Sequence, residues 1–181
     1  MSILLQDHQD FLLVGEKIQL TLFKESDIDE QYVSWLNDTE VTKYSNQRFF
    51  KHTSKSCLKY LNSFNDSNNL FLKITNKEQN EKIGTMTAYY SQFHKTVDIG
   101  IMIGNKKYWS KGIGSDAWIT LINFLKTNKH IRKITAGTMS INIGMLSIFN
   151  KSNMEYEATK EKQELCEDKE VDLVYYRIFC N

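Results

Sequence analysis

Lys111-Gly-Ile-Gly-Ser115 is a short basic glycine turn that runs straight into a long amphipathic helical pattern, with strand-like segments both before and after it. Ile113, Ala117, Leu121, Phe124 and Leu125 fall at i, i+4, i+8, i+11 and i+12, a narrow apolar stripe with helical period. Gly112 and Gly114 lack a Cβ, so they can take positive φ and let an anion approach the main chain. The first amides of the helix have no intrahelical acceptor, and Lys111 adds charge at the same spot. The turn therefore reads as a phosphate site pinned to a rigid element.

Two nucleotide-binding readings compete for this turn, and both fail on spacing. Gly112 to Ala117 formally fits G-x-G-x-x-A, but that fingerprint needs an acidic residue about 20 positions on and further βαβ units. Arg132 and Lys133 stand there instead, and no acidic residue lies between Asp116 and Glu155. The P-loop pattern is missing as well, since Lys111 precedes the first glycine of the turn instead of following the last.

The 181 residues suit one domain, and a chain 41% hydrophobic and 25% charged has an ordinary globular composition. A formal net charge of +1 argues against nucleic-acid binding by field alone and suits a small ligand. No apolar run is long enough to span a membrane, and Asp7, His8 and Asp10 interrupt any signal-peptide core, so a cytoplasmic protein is expected. Cys57, Cys166 and Cys180 are odd in number and widely spaced, which reads as reduced thiols and no metal site.

Residues 1–10 read as a tail and residues 11–181 as a single domain. Ile18, Leu20 and Leu22 alternate with polar residues as in a strand, and Phe11 to Leu13 offers a hairpin partner across Val14-Gly15-Glu16. A first helix is expected over about 25–37 with an N-cap candidate at Ser26-Asp27, and a second after Thr53-Ser54. Further strands are expected at 70–75, 82–90, 93–103, 132–139, near 154–158 and at 171–179. A short helix is expected over 142–150 and an acidic loop over 161–170. The order predicts a mixed α/β fold: a mostly antiparallel, twisted sheet of about seven strands with helices on both faces.

Val97-Asp-Ile-Gly-Ile-Met-Ile-Gly104, followed by Tyr108-Trp109-Ser-Lys-Gly112-Ile-Gly114 and the helix, resembles the acetyl-CoA-binding core of the GNAT N-acetyltransferase superfamily. Thr135-Ala-Gly137, Asn142, Phe149, Lys151, Asn153 and Met154 are similar to its next segment. Asp27-Ile28, Tyr32, Trp35-Leu-Asn-Asp38, Glu40-Val41 and Tyr44 are similar to the opening helices of the branch that acetylates ribosomal-protein N-termini and amino sugars. Five positions depart from the pattern, one of them Met145, which stands where serine is common. Trp109 replaces Gln or Arg, Phe149 replaces a tyrosine that often serves as general acid, and Asn153-Met154 replaces Gly-Phe. Asn tolerates the left-handed conformation, so the turn at 153 should persist.

The resemblance implies that Trp109, Ser110, Lys111, Gly112, Ile113, Gly114 and Ser115 cradle the pyrophosphate of coenzyme A. It implies that the strand edge at Ile101, Met102 and Ile103 holds pantetheine and thioester, with Asn142, Phe149 and Lys151 beside them. Asp98 points to the opposite side from Val97 and Ile99 in an otherwise apolar strand. It is a candidate general base or else a structural partner for a nearby donor; His94 is the second candidate. Asn37, Tyr44, Arg48 and Tyr89 are candidates for contact with the acceptor. The expected activity is acetyl transfer from acetyl-CoA to a primary amine of a small molecule, such as an amino sugar or its nucleotide conjugate. A protein N-terminal acetyltransferase and a non-catalytic acyl-CoA-binding module are the alternatives. Nothing in the sequence separates a monomer from a homodimer.

Overall fold

The computed structural model describes residues 11–180, so the expected tail lies outside the described residues. Eight strands form one sheet: β1 (Leu12–Val14), β2 (Ile18–Leu22), β3 (Leu70–Asn76), β4 (Glu81–Ser91), β5 (Thr96–Ile103), β6 (Lys133–Met139), β7 (Glu155–Cys166) and β8 (Lys169–Phe179). Their order across the sheet is β1-β2-β3-β4-β5-β6-β8-β7, and every neighbouring pair is antiparallel except β5 and β6. A parallel pair needs a long crossover, which the helix after the glycine turn, α3 (Ile113–Thr127), provides.

Alternation along the strands divides the core into two layers. Ile18, Leu20, Leu72, Ile74, Met86, Val97, Ile99 and Ile134 face α3, where Trp118, Leu121 and Leu125 are fully buried. The short helix α4 (Ile143–Lys151) joins this layer through Phe149. On the other face, α1 (Glu30–Asn37) and α2 (Ser54–Asn62) pack Tyr32, Trp35, Leu36 and Cys57 against Phe23, Phe71 and Met102. The expected fold class holds, with one strand more than the expected seven.

The structure corrects three expected boundaries. Residues 25–37 are not one helix: Glu25–Asp27 is a 3-10 turn, and α1 begins after Asp29, whose carboxylate accepts from Tyr32 N at 2.8 Å. Asp27 instead accepts from Lys24 N at 2.8 Å within that turn and pairs with Lys73 on β3 at 2.8 Å. The segment from 161 to 170 is not a loop but the middle of a long β7–β8 hairpin. Glu167 and Asp168 both take positive φ, 50° and 59°, at its two-residue turn, the backbone a tight hairpin requires. Finally β5 starts at Thr96, which leaves Phe93 and His94 in the preceding turn.

Candidate active site

Gly112 caps α3 with φ +79°, and Ser110 just before it is also left-handed at φ 59°. The first helical bond of this end runs from Asp116 N to Gly112 O at 3.0 Å, so the amides of Ile113, Gly114 and Ser115 precede it. The loop is held from three sides. The Trp109 indole donates to Ile103 O at 2.7 Å, which ties the loop to the end of β5. The Asp116 carboxylate accepts from Glu16 N at 3.0 Å and Lys17 N at 2.7 Å, so the acid in the first turn is occupied by the β1–β2 hairpin. Lys17 reaches the turn as well, donating from Nζ to Lys111 O at 3.5 Å. Lys17 and Lys111 thus place two exposed cations beside the helix start. Gly114 makes the close approach possible, because a Cβ there would lie 3.1 Å from Ile148 Cδ1 of α4.

The parallel pair opens beside this turn. β5 and β6 are in register only from Thr96–Lys133 to Asp98–Thr135, while β5 runs on to Ile103 and β6, paired with β8 from Lys133 onward, runs on to Met139. The strands separate beyond Asp98, which leaves the edge at Ile101, Met102 and Ile103 without a β6 partner. Ile101 and Ile103 lean on the α3 layer and Met102 on the α1–α2 layer, as alternation predicts.

Asp98 sits where the gap begins, on the α1–α2 face. Its Oδ2 accepts from Thr135 Oγ1 at 2.8 Å, and Tyr89 of β4 lies opposite it in register. The carboxyl keeps contact with solvent but is partly desolvated by the sheet, which raises its pKa above the ordinary 3.8; the Thr135 bond pulls the other way. The next positions on this face are Gly100 and Gly137, and their missing side chains make room for neighbours: the Tyr175 ring lies over Gly137 and the Thr87 hydroxyl beside Gly100, each 3.0 Å from where a Cβ would stand. The Tyr89 hydroxyl meets that of Tyr60 from α2 at 2.6 Å, giving a hydroxyl pair on the same face. Such a cleft can hold a polar acceptor and take a proton from it.

Several expected site residues prove to be structural. His94 is exposed in the β4–β5 turn, at the opposite end of β5 from the glycine loop, and its carbonyl accepts from Arg132 Nε at 2.7 Å; it is no candidate base. Asn37 is not free for an acceptor, since its amide bonds Val33 O, His52 O and His52 N at 2.9–3.0 Å and joins α1 to the approach of α2. Arg48 donates to Ser45 O and to Leu165 O, each at 2.7 Å, and so belongs to a tertiary latch. Tyr44 is exposed in the loop beside them.

The chain matches the acetyltransferase (GNAT) domain over residues 17–155. It belongs to the GNAT acetyltransferase family. No curated protein matches it in sequence. Among solved structures it is similar to a GNAT-family acetyltransferase from Bacillus anthracis, at 20% identity and TM-score 0.78, covering 93% of this chain and 98% of that one. It is also similar to RimL, a ribosomal L7/L12 α-N-protein acetyltransferase in complex with coenzyme A, at 14% identity and TM-score 0.80, over 93% and 98%. Spermidine N-acetyltransferase from Vibrio cholerae, in complex with coenzyme A and spermine, aligns at 13% identity and TM-score 0.80, over 92% and 97%. At these identities the likeness establishes the fold alone.

In this GNAT domain the segment after β6 is more structural than the sequence suggested. Asn142 caps α4, accepting from Met145 N at 3.2 Å and donating to Thr138 Oγ1 at 3.0 Å. Phe149 is fully buried between Trp118 and Tyr176, with ring centroids at 5.7 and 4.7 Å, and offers no surface to a ligand. Lys151 is exposed at the end of α4, and Asn153 takes φ 55°, the left-handed turn expected there. Tyr108 is engaged with Glu81 at 2.9 Å, which raises its pKa. Sequence reasoning missed Lys17, because its approach to the turn depends on a partner 94 residues away. It also missed Tyr60, which only the packing of α2 brings to Tyr89.

Proposed function

We propose that this GNAT acetyltransferase transfers the acetyl group of acetyl-CoA to a primary amine of a compact, hydroxyl-bearing molecule, an amino sugar or its nucleotide conjugate. The observation that carries the reading is the gap between β5 and β6, which opens at Asp98 and runs toward the glycine turn. The turn has the form a pyrophosphate needs: left-handed Ser110 and Gly112, the leading amides of α3, and the cations of Lys17 and Lys111. Acetyl-CoA brings a thioester whose carbonyl carbon is open to attack by a neutral amine. The free edge at Ile101 to Ile103 suits the extended pantetheine chain, with backbone groups to orient the thioester carbonyl.

In this reading Asp98 takes the proton, directly or through water, as the amine nitrogen bonds to carbon and the carbon–sulfur bond breaks. The leaving thiolate is stable enough to depart without a dedicated acid, which suits the placement of Phe149 in the core. On the acceptor side, the Tyr60–Tyr89 hydroxyls and the Thr135 hydroxyl favour a ligand rich in hydroxyl groups. A polyamine would be better served by several carboxylates than by these hydroxyls.

Thiol release from acetyl-CoA, measured with glucosamine, a nucleotide-linked amino sugar, spermidine and a tetrapeptide, tests this reading. The expected order puts the hydroxylated amines first. Preference for the tetrapeptide would favour a protein N-terminal acetyltransferase, and coenzyme A binding with no release on any amine would favour a binding module.

A further inference from the structure

The β7–β8 hairpin does not end at the sheet edge. Its tip is fastened to the segment between α1 and α2 on the face that carries Asp98. Arg48 Nη2 donates to Leu165 O at 2.7 Å, Lys43 pairs with Glu167 at 2.9 Å, and Cys166 is buried with Val171 against Met139 of β6. Met139 follows Thr135 and Gly137 at two-residue intervals, so it lies on the same face of β6 as the partner of Asp98. The fastened tip and the Lys43 to Arg48 segment therefore lie on the face of Asp98 beyond Gly137, past the Tyr175 ring that covers this glycine. Arg48 is held for this task, since its other arm is fixed to Ser45 O at 2.7 Å and its guanidinium lies over the Phe49 ring at 4.1 Å.

We infer that Arg48 is a specificity-determining residue: by latching the β7–β8 tip it closes the acceptor side to an extended polypeptide and leaves room for a compact amine. A peptide N-terminus must bring several residues of chain across the cleft mouth, whereas a small amine needs only a pocket. The assignment rests on the proposed transferase reading and adds the element that sets acceptor size. Arg48 touches neither reacting atoms nor the glycine turn, so it acts as a positioning residue.

The test compares the wild type with Arg48→Ala and with Glu167→Lys, which repels Lys43 and opens the same latch without touching the core. In each protein, kcat/KM is measured for glucosamine and for a tetrapeptide with a free N-terminal serine, together with the KM for acetyl-CoA. Hydrogen exchange of the amides from 164 to 170 reports whether the latch is open. The expected result is faster exchange there in both variants, a peptide-to-glucosamine ratio raised at least tenfold, and an unchanged KM for acetyl-CoA. Faster exchange with an unchanged ratio would overturn the assignment alone. Exchange no faster than wild type in either variant would show that these contacts do not hold the tip, and would overturn it too. Release on neither acceptor by the wild type would sink the transferase reading along with it.

Discussion

The two faces of the sheet are built by different rules. The α3 face rests on one long helix whose apolar stripe meets alternating strand residues, and its largest side chain, Trp118, is fully buried. The α1–α2 face is assembled from two short helices, 3-10 turns and ion pairs. It is joined to the rest by contacts such as Arg48 with Leu165, 117 residues apart. Periodic burial makes the first face rigid and suits it to present the glycine turn. The second face keeps polar groups, glycine gaps and exposed aromatics, the features an acceptor site needs. On the proposed reading, stability and acceptor choice are carried by opposite sides of one sheet.

That division can be broken by paired substitutions. Trp118→Ala removes a fully enclosed side chain and should cost about 3–5 kcal/mol in urea unfolding. Trp35→Ala on the other face should cost less, because Trp35 keeps some exposure and packs on Gly104 beside α1. Equal losses would show that both faces contribute alike to the core. Asn142→Ala removes the cap of α4 and should lower stability by about 1 kcal/mol in the same assay. A much larger loss would mean that Asn142 supports more than the helix start.

The smallest change in stability is expected at Asp98. Its pKa is raised in the fold, so its favourable contribution is fully present below the unfolded value and is lost as pH rises through the folded one. At neutral pH the carboxylate therefore adds nothing to stability. Asp98→Asn should melt no lower than wild type at pH 7, and its advantage should shrink toward pH 4. A clear drop in melting temperature at pH 7 would mark Asp98 as a structural partner of Thr135 and not a base.

What the sequence revealed follows the same division. The α3 stripe, the glycine turn, the alternation that turns Asp98 away from Val97 and Ile99, and the left-handed Asn153 are all encoded within a few residues of themselves. The β7–β8 tip was hidden because strongly charged residues, exposed along an edge strand, carry no alternating apolar signal. Asn37 and Arg48 were legible as polar loop residues, but their partners, His52 and Leu165, are set by tertiary packing. Phe149 lay at a position where its family places a catalytic group, and only burial shows that here it belongs to the core.

The most direct test of the account is the pH dependence of single-turnover thiol release from the acetyl-CoA complex, in wild type and in Asp98→Asn. The account predicts a rate about 100-fold lower in the variant at neutral pH, with the acidic limb of the carboxyl gone and only that of the acceptor amine remaining. Equal rates and superimposable profiles in the two proteins would contradict it.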